Sequence, residues 1–149
     1  MVKISTKGIY RDLVNIKAYK NYYRDEKPSE NCVFCGTSKS PLYKTKALKL
    51  SSFKIVMNDF PYDFWDMKKV TEHLMAVPIR HIDCVSKLNR EELEELNKIM
   101  AHFSDAGHDI FVRSPKSAIK SIDHLHFHLI KTEETKLKVE VTYEDSALL

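Results

Sequence analysis

Three histidines occupy alternate positions in the run His124-Leu125-His126-Phe127-His128-Leu129-Ile130. Alternate side chains of a β-strand share a face, so the spacing predicts three imidazoles on one side and Leu125, Phe127 and Leu129 on the other. Adjacent imidazoles on such a face lie ~6.6 Å apart along the strand, near enough to grip different atoms of one ligand. The apolar face packs into the core and fixes the register, because a slip of one residue would exchange the faces. Neutral imidazole is a good nucleophile near neutral pH, its ordinary pKa being about 6.5. Attack on a phosphorus would give a covalent phosphoryl-imidazole that water or phosphate can resolve. Neighbouring histidines and amide donors would balance the charge spreading over the non-bridging oxygens. The alternative for the same spacing is a strand that only holds a structural metal.

A second group with chemical potential is Cys32-Val33-Phe34-Cys35. C-x-x-C serves zinc, redox chemistry or neither, and a structural zinc site requires two further ligands. His81, in Val77-Pro78-Ile79-Arg80-His81, follows a short apolar strand, and His124 opens the histidine run. The third cysteine, Cys84, reads as a small buried residue. His102 and His108 have no matching partners and read as structural or exposed.

These residues need a scaffold. Residues 1–30 are polar and weakly periodic, and read as a helical arm followed by the turn Lys27–Asn31. Gly36–Pro41 is a second loop. Strand-like runs follow at Ala47–Leu50 and Phe53–Asn58. Phe60-Pro61-Tyr62 breaks the pattern, and Asp63–Thr71 reads as an inserted loop or short helix. Leu74–Val77 is a short strand ending at Pro78. Asn89, with Glu92 three residues on, predicts a capping box at the start of a helix. The helix carries Leu93, Leu96, Ile99, Met100 and Phe103 as its apolar stripe and ends at Gly107. Strands are expected at Asp109–Arg113, His124–Lys131 and Lys136–Tyr143, with Ser114–Asp123 a polar loop. The order of elements predicts an α+β domain built on a mostly antiparallel sheet.

With 149 residues the chain can bury one core. Its 43% hydrophobic and 30% charged composition is that of an ordinary globular protein. No apolar run approaches a membrane span and no signal segment opens the chain, so the expected location is the cytoplasm. A net charge of +3 is too slight to announce a nucleic-acid binder. Lys3, Lys7, Arg11, Lys17, Lys20 and Arg24, interleaved with Tyr10, Tyr19, Tyr22 and Tyr23, read as a solvated face with packed tyrosines rather than as a phosphate-binding arm.

The H-x-H-x-H run resembles the signature of the histidine-triad nucleotide-binding family. The resemblance spans about residues 30–132. It implies that His126 is the nucleophile, that His128 helps bind the reacting phosphate, and that Ser121 contacts the leaving group. It is similar in particular to a zinc-containing, bacterial-type branch, which implies a structural zinc on Cys32, Cys35, His81 and His124. Asn58-Asp59-Phe60-Pro61-Tyr62 is similar to a family segment whose asparagine lies near the ribose, and His73 matches a pocket histidine. The family fold implied is a five-stranded sheet with one long helix, here as a domain at 31–149 behind the arm at 1–30. Relatives are usually homodimers.

Two features depart from the family pattern. Residues 63–72 replace a short glycine-containing turn. The loop Arg113–Ser121 lacks the family's glycines and glutamine and carries Arg113, Lys116 and Lys120 instead. The expected activity is hydrolysis or nucleotidyl transfer at the α-phosphate of a dinucleoside polyphosphate or a nucleoside phosphoramidate, with Arg113 on the nucleotide. The alternatives are removal of adenylate from nucleic-acid 5′ ends, and a zinc-stabilised nucleotide-binding module without turnover.

Overall fold

A computed structural model describes residues 2–5, 10–25, 32–35, 48–136 and 138–142. The predicted turns at Lys27–Asn31 and Gly36–Pro41 lie outside them, as do the side chains of Lys3, Lys7, Tyr22, Tyr23 and Arg24. In chain order the elements are β1 (Val2–Ser5), α1 (Leu13–Asp25), β2 (Leu48–Lys49), β3 (Phe53–Met57), β4 (Phe64–Trp65), β5 (Lys68–Pro78), a 3₁₀ turn (Val85–Lys87), α2 (Arg90–Asp105), β6 (Asp109–Val112), β7 (Phe127–Lys136) and β8 (Val139–Thr142). The sheet runs β2-β3-β5-β7-β6, with β4 also paired to β5. The pairs β2/β3, β3/β5, β4/β5 and β6/β7 are antiparallel. This is the expected α+β architecture, with β4 as a strand beyond the five anticipated.

The chain forms two compact units. The larger, Pro28–Asp59 with Glu72–Lys131, holds every candidate site residue. Side-chain alternation assigns its two layers. Phe53, Ile55, Ala76, Leu125, Phe127 and Leu129 pack with Leu96 and Ile99 of α2. Val56, Met75 and Val77, on the other side of the same strands, pack with Val33 and Phe34 of the cysteine turn. Both sides are therefore covered.

Helix α2 begins as its sequence predicts. Asn89 accepts from the Glu92 amide at 2.9 Å, and the Glu92 carboxylate accepts from the Asn89 amide at 2.8 Å. Gly107 ends it with a φ of +88°, a backbone conformation that favours glycine. The buried stripe differs from the expected one: Leu96 and Ile99 are buried, whereas Leu93 and Met100 are 47% and 40% exposed. Glu92 takes a buried place on that stripe because Arg80 neutralises it. Glu95 accepts from the amides of Ser51, Ser52 and Phe53, tying α2 to the turn between β2 and β3.

The smaller unit comprises Met1–Lys27, Phe60–Thr71 and Thr132–Leu149. There β1 pairs in parallel with β8. The Asp63 carboxylate accepts from the Asp12 amide and the Asn15 side chain at 2.6 Å each, beside the start of α1. Tyr10 stacks on Tyr62, and Trp65 lies 5.4 Å from Tyr10. The Arg11 guanidinium covers the Tyr19 and Tyr62 rings and donates to the Phe60 carbonyl. Tyr10 and Tyr19 are thus packed while Lys17 and Lys20 are exposed, which agrees with a solvated face carrying packed tyrosines. The segment read as a loop or short helix is instead a hairpin of β4 and β5. Its tip, Asp66-Met67, turns with φ of 49° and 61°; Asp suits the first position of such a turn, but Met does not signal the second.

Candidate active site and metal centre

The ladder of β7 begins at Phe127, so His124 and His126 precede it rather than lie within it. The cause is a change of main-chain partner: the Leu125 amide donates to the Ile82 carbonyl at 2.6 Å, outside the β6 pairing. Alternation of side chains persists through this lead-in. Leu125, Phe127 and Leu129 face α2, and His124, His126 and His128 face the other way.

The imidazoles are not on an open face. His124, His126 and His128 are 1%, 7% and 5% exposed. Phe34 helps bury them, its ring 5.7 Å from that of His124 and 5.4 Å from that of His126. Buried imidazoles resist protonation because an imidazolium loses its hydration. Burial is accordingly the main cause that lowers the pKa of His126, and it brings His124 down to about 4.

Two carbonyls select the tautomers. His124 Nε2 lies 2.9 Å from the Pro78 oxygen, and only a protonated nitrogen donates to a carbonyl, so Nδ1 carries the lone pair. That Nδ1 lies 3.2 Å from Cys32 Sγ and 3.4 Å from Cys35 Sγ. In His126 the pattern is reversed. Nδ1 donates to the His124 carbonyl at 2.8 Å, which leaves the lone pair on Nε2.

Cys32, Cys35, His81 and His124 bring their ligand atoms within 4.8 Å of one another. His81 Nδ1 approaches Cys35 Sγ at 3.1 Å. A tetrahedral zinc bound through two sulfurs and two imidazoles has ligand-to-ligand edges of ~3.3–3.8 Å, so these four groups fit a metal with small adjustments. Burial, then the adjacent Cys32 sulfur, pushes the Cys35 thiol up to about 11. A divalent cation would reverse that, since thiolate is the ligating form.

Reasoning from sequence did not find two supports of this centre. Lys54 of β3 donates through Nζ to the Phe34 carbonyl, bracing the cysteine turn. Nothing local signals a contact 20 positions away. Arg80 forms a two-pronged bond to Glu92, at 2.9 and 2.8 Å, and donates to the Lys87 carbonyl, anchoring the segment that delivers His81. Its neighbour His81 and the capping-box glutamate were both visible, so this pairing had a sequence signal. Cys84, expected to be buried, is partly exposed, its Sγ 3.2 Å from Ser86 Oγ.

Of the other expected residues, His73 joins the triad directly. Its Nε2 shares a proton with His128 Nδ1 at 2.8 Å, and the Asn58 amide approaches the same nitrogen at 3.3 Å. Phe111 lies flat on His128, rings 4.4 Å apart and 9° from parallel. Ser121 is exposed in the loop before the triad. His108 is structural, held between Glu72 and the Phe103 carbonyl.

No family model matches the chain. It is 26% identical over 110 residues to adenosine 5′-monophosphoramidase of Saccharomyces cerevisiae, covering 70% of this chain and 65% of that protein. The match thus spans just under two thirds of the yeast relative's length. The fold superposes at a TM-score of 0.52 on a hypothetical histidine triad nucleotide-binding protein from Sulfolobus tokodaii, at 22% identity, covering 70% of this chain and 71% of that one. At 18% identity it superposes at 0.51 on a zinc-bound histidine triad family protein from Mycobacterium smegmatis, covering 71% and 78%. By its fold, this chain is similar to histidine-triad proteins.

Proposed function

We propose that the chain is a nucleotide hydrolase or transferase acting at the α-phosphate of nucleoside phosphoramidates or dinucleoside polyphosphates, through a nucleotidyl-histidine intermediate on His126. One observation carries this reading: the bond from Nδ1 to the His124 carbonyl leaves the His126 lone pair on Nε2. That lone pair forms a bond to phosphorus while the bond to the leaving group breaks. The electron pair departs with the leaving group, which takes up a proton if it is an amine. The proton shared between His73 and His128 stands beside the triad for that transfer. Water or phosphate then adds to phosphorus and gives up a proton, and the phosphorus–nitrogen bond breaks with its pair returning to Nε2. Asn58 and Arg113 hold the nucleotide, and Ser121 meets the leaving group.

Cys32, Cys35, His81 and His124 hold a zinc ion, which when bound supplies a structural tie between the cysteine turn and the triad. The name of the Mycobacterium smegmatis neighbour and the convergence of the four ligand atoms support this. The yeast relative's name supports a phosphoramidase. No described helix is long and apolar enough to cross a membrane. A cytoplasmic homodimer completes the reading, and light scattering would check the assembly.

The test is intact-protein mass and product analysis after incubation with adenosine 5′-phosphoramidate and with diadenosine tetraphosphate. The wild type is expected to form product and a trapped nucleotidyl adduct, and His126→Asn to lose both. Absence of product and adduct in the wild type on either substrate would reject the reading.

A further inference from the structure

The loop that departs from the family pattern carries three cations, and the fold uses them differently. Lys116 is exposed. Lys120 donates through Nζ to the carbonyls of Asp83 and Asp123 at 2.9 Å each, so it ties the loop to the segment that follows β5. Arg113 directly follows β6. The ladder sets Phe111 opposite His128 and Val112 opposite Phe127. Arg113 is the next residue, two positions on from Phe111. Paired positions of an antiparallel ladder share a face, as the stacked rings of Phe111 and His128 bear out. The half-buried Arg113 guanidinium lies 5.4 Å from the Phe111 ring centroid, on the same face as the triad.

We propose that Arg113 is a specificity-determining residue that favours nucleotides carrying a further anionic group beyond the α-phosphate, a second phosphoryl above all, over those whose leaving group is a neutral amine. The inference rests on the reading of His126 as nucleophile. A guanidinium presents a planar fork that binds phosphoryl oxygens through two parallel bonds, and an aromatic face beneath it limits its freedom. When His126 Nε2 bonds to the α-phosphorus of a polyphosphate, the phosphorus–oxygen bond breaks and its pair stays on the departing phosphoryl oxygen. A cation held on the same face stabilises that growing charge. With a phosphoramidate, the pair leaves on nitrogen, which takes up a proton and departs neutral. The cation then has little to stabilise.

The test compares wild type, Arg113→Gln, Arg113→Lys and, as a control for diffuse charge, Lys116→Gln, each checked for folding by circular dichroism. Calorimetry measures binding of AMP and of ADP, and kcat/KM is measured for diadenosine tetraphosphate and for adenosine 5′-phosphoramidate. Wild type is expected to bind ADP on the order of tenfold more tightly than AMP, and Arg113→Gln to lose that preference. The ratio of the two kcat/KM values should fall by about tenfold to a hundredfold in Arg113→Gln, with Arg113→Lys between, and hold in Lys116→Gln. A preference that survives Arg113→Gln, or falls equally in Lys116→Gln, overturns the proposal. Failure of the wild type to turn over either substrate would reject the catalytic reading instead, and the binding measurements would still decide the role of Arg113.

Discussion

His124 and His126 are two residues apart on one face, yet their imidazoles hold their protons on opposite nitrogens. His124 gives its Nε2 proton to the Pro78 carbonyl and turns Nδ1 toward two sulfurs. His126 gives its Nδ1 proton to the carbonyl of His124 and keeps the lone pair on Nε2. Residue type and spacing are the same, so the difference comes from where a main-chain oxygen stands. The lesson is that a backbone acceptor, not the imidazole, decides which ring nitrogen keeps the lone pair, toward two sulfurs in one histidine and on the opposite nitrogen in the next.

That contrast can be broken at either end. The largest effect is expected from His126→Asn, which should lower turnover of adenosine 5′-phosphoramidate at least about a thousandfold, read by steady-state kinetics. Its zinc content by elemental analysis should match the wild type. Loss of metal in that variant would show the two ends are not separate. Next, Cys35→Ala should release the metal and lower the melting temperature, since the site then lacks a ligand and leaves Cys32 and His124 without a common partner. Chelation of the wild type should reproduce the melting shift, and a variant that melts like the wild type would argue against a metal there. Leu129→Ala, at a fully buried position on the opposite face, should cost about 2–5 kcal/mol in denaturant unfolding while the metal stays bound in the folded protein.

The smallest effect concerns the anchor of His81. The Arg80 guanidinium beside Glu92 holds its carboxyl below the usual carboxylate range. The folded pKa lies below the unfolded one, so this stabilisation is present above the unfolded value and is lost as pH falls through the folded one. Arg80→Met should therefore melt below the wild type at pH 7, and the two should converge on acidification. A gap independent of pH would mean that packing of Arg80 matters more than its charge.

Much of this was legible from residue order alone. The capping box of α2 depends on two residues three apart, and the sidedness of the triad on alternation, both of which are local. The burial of the triad was not legible, because its cover comes from Phe34 on a turn whose Cys32 meets His124 across 92 positions. The length of β5 was hidden by Lys68, Lys69, Thr71 and Glu72, whose polarity reads as a loop although the backbone there is paired or extended. Cys84 was misjudged because a cysteine is apolar enough to bury, whereas here it is partly exposed with its Sγ beside Ser86, two positions on. Leu93 and Met100 fit helical periodicity, but the buried stripe turned toward Glu92 once Arg80, twelve positions away, supplied a partner.

The hairpin tip has an evolutionary consequence. Asp66 and Met67 are the non-glycine residues with positive φ among those described, and Met67 is 49% exposed. A left-handed backbone costs a side chain such as that of Met67 roughly 1–2 kcal/mol, so pairing of Phe64 with Lys69 and of Trp65 with Lys68 must hold that residue against its own preference. Drift of these two positions toward Asn-Gly would relieve the strain and leave both strands unchanged. The tip is therefore a place where descendants of this chain can gain stability by neutral wandering, without passing through any change at the triad.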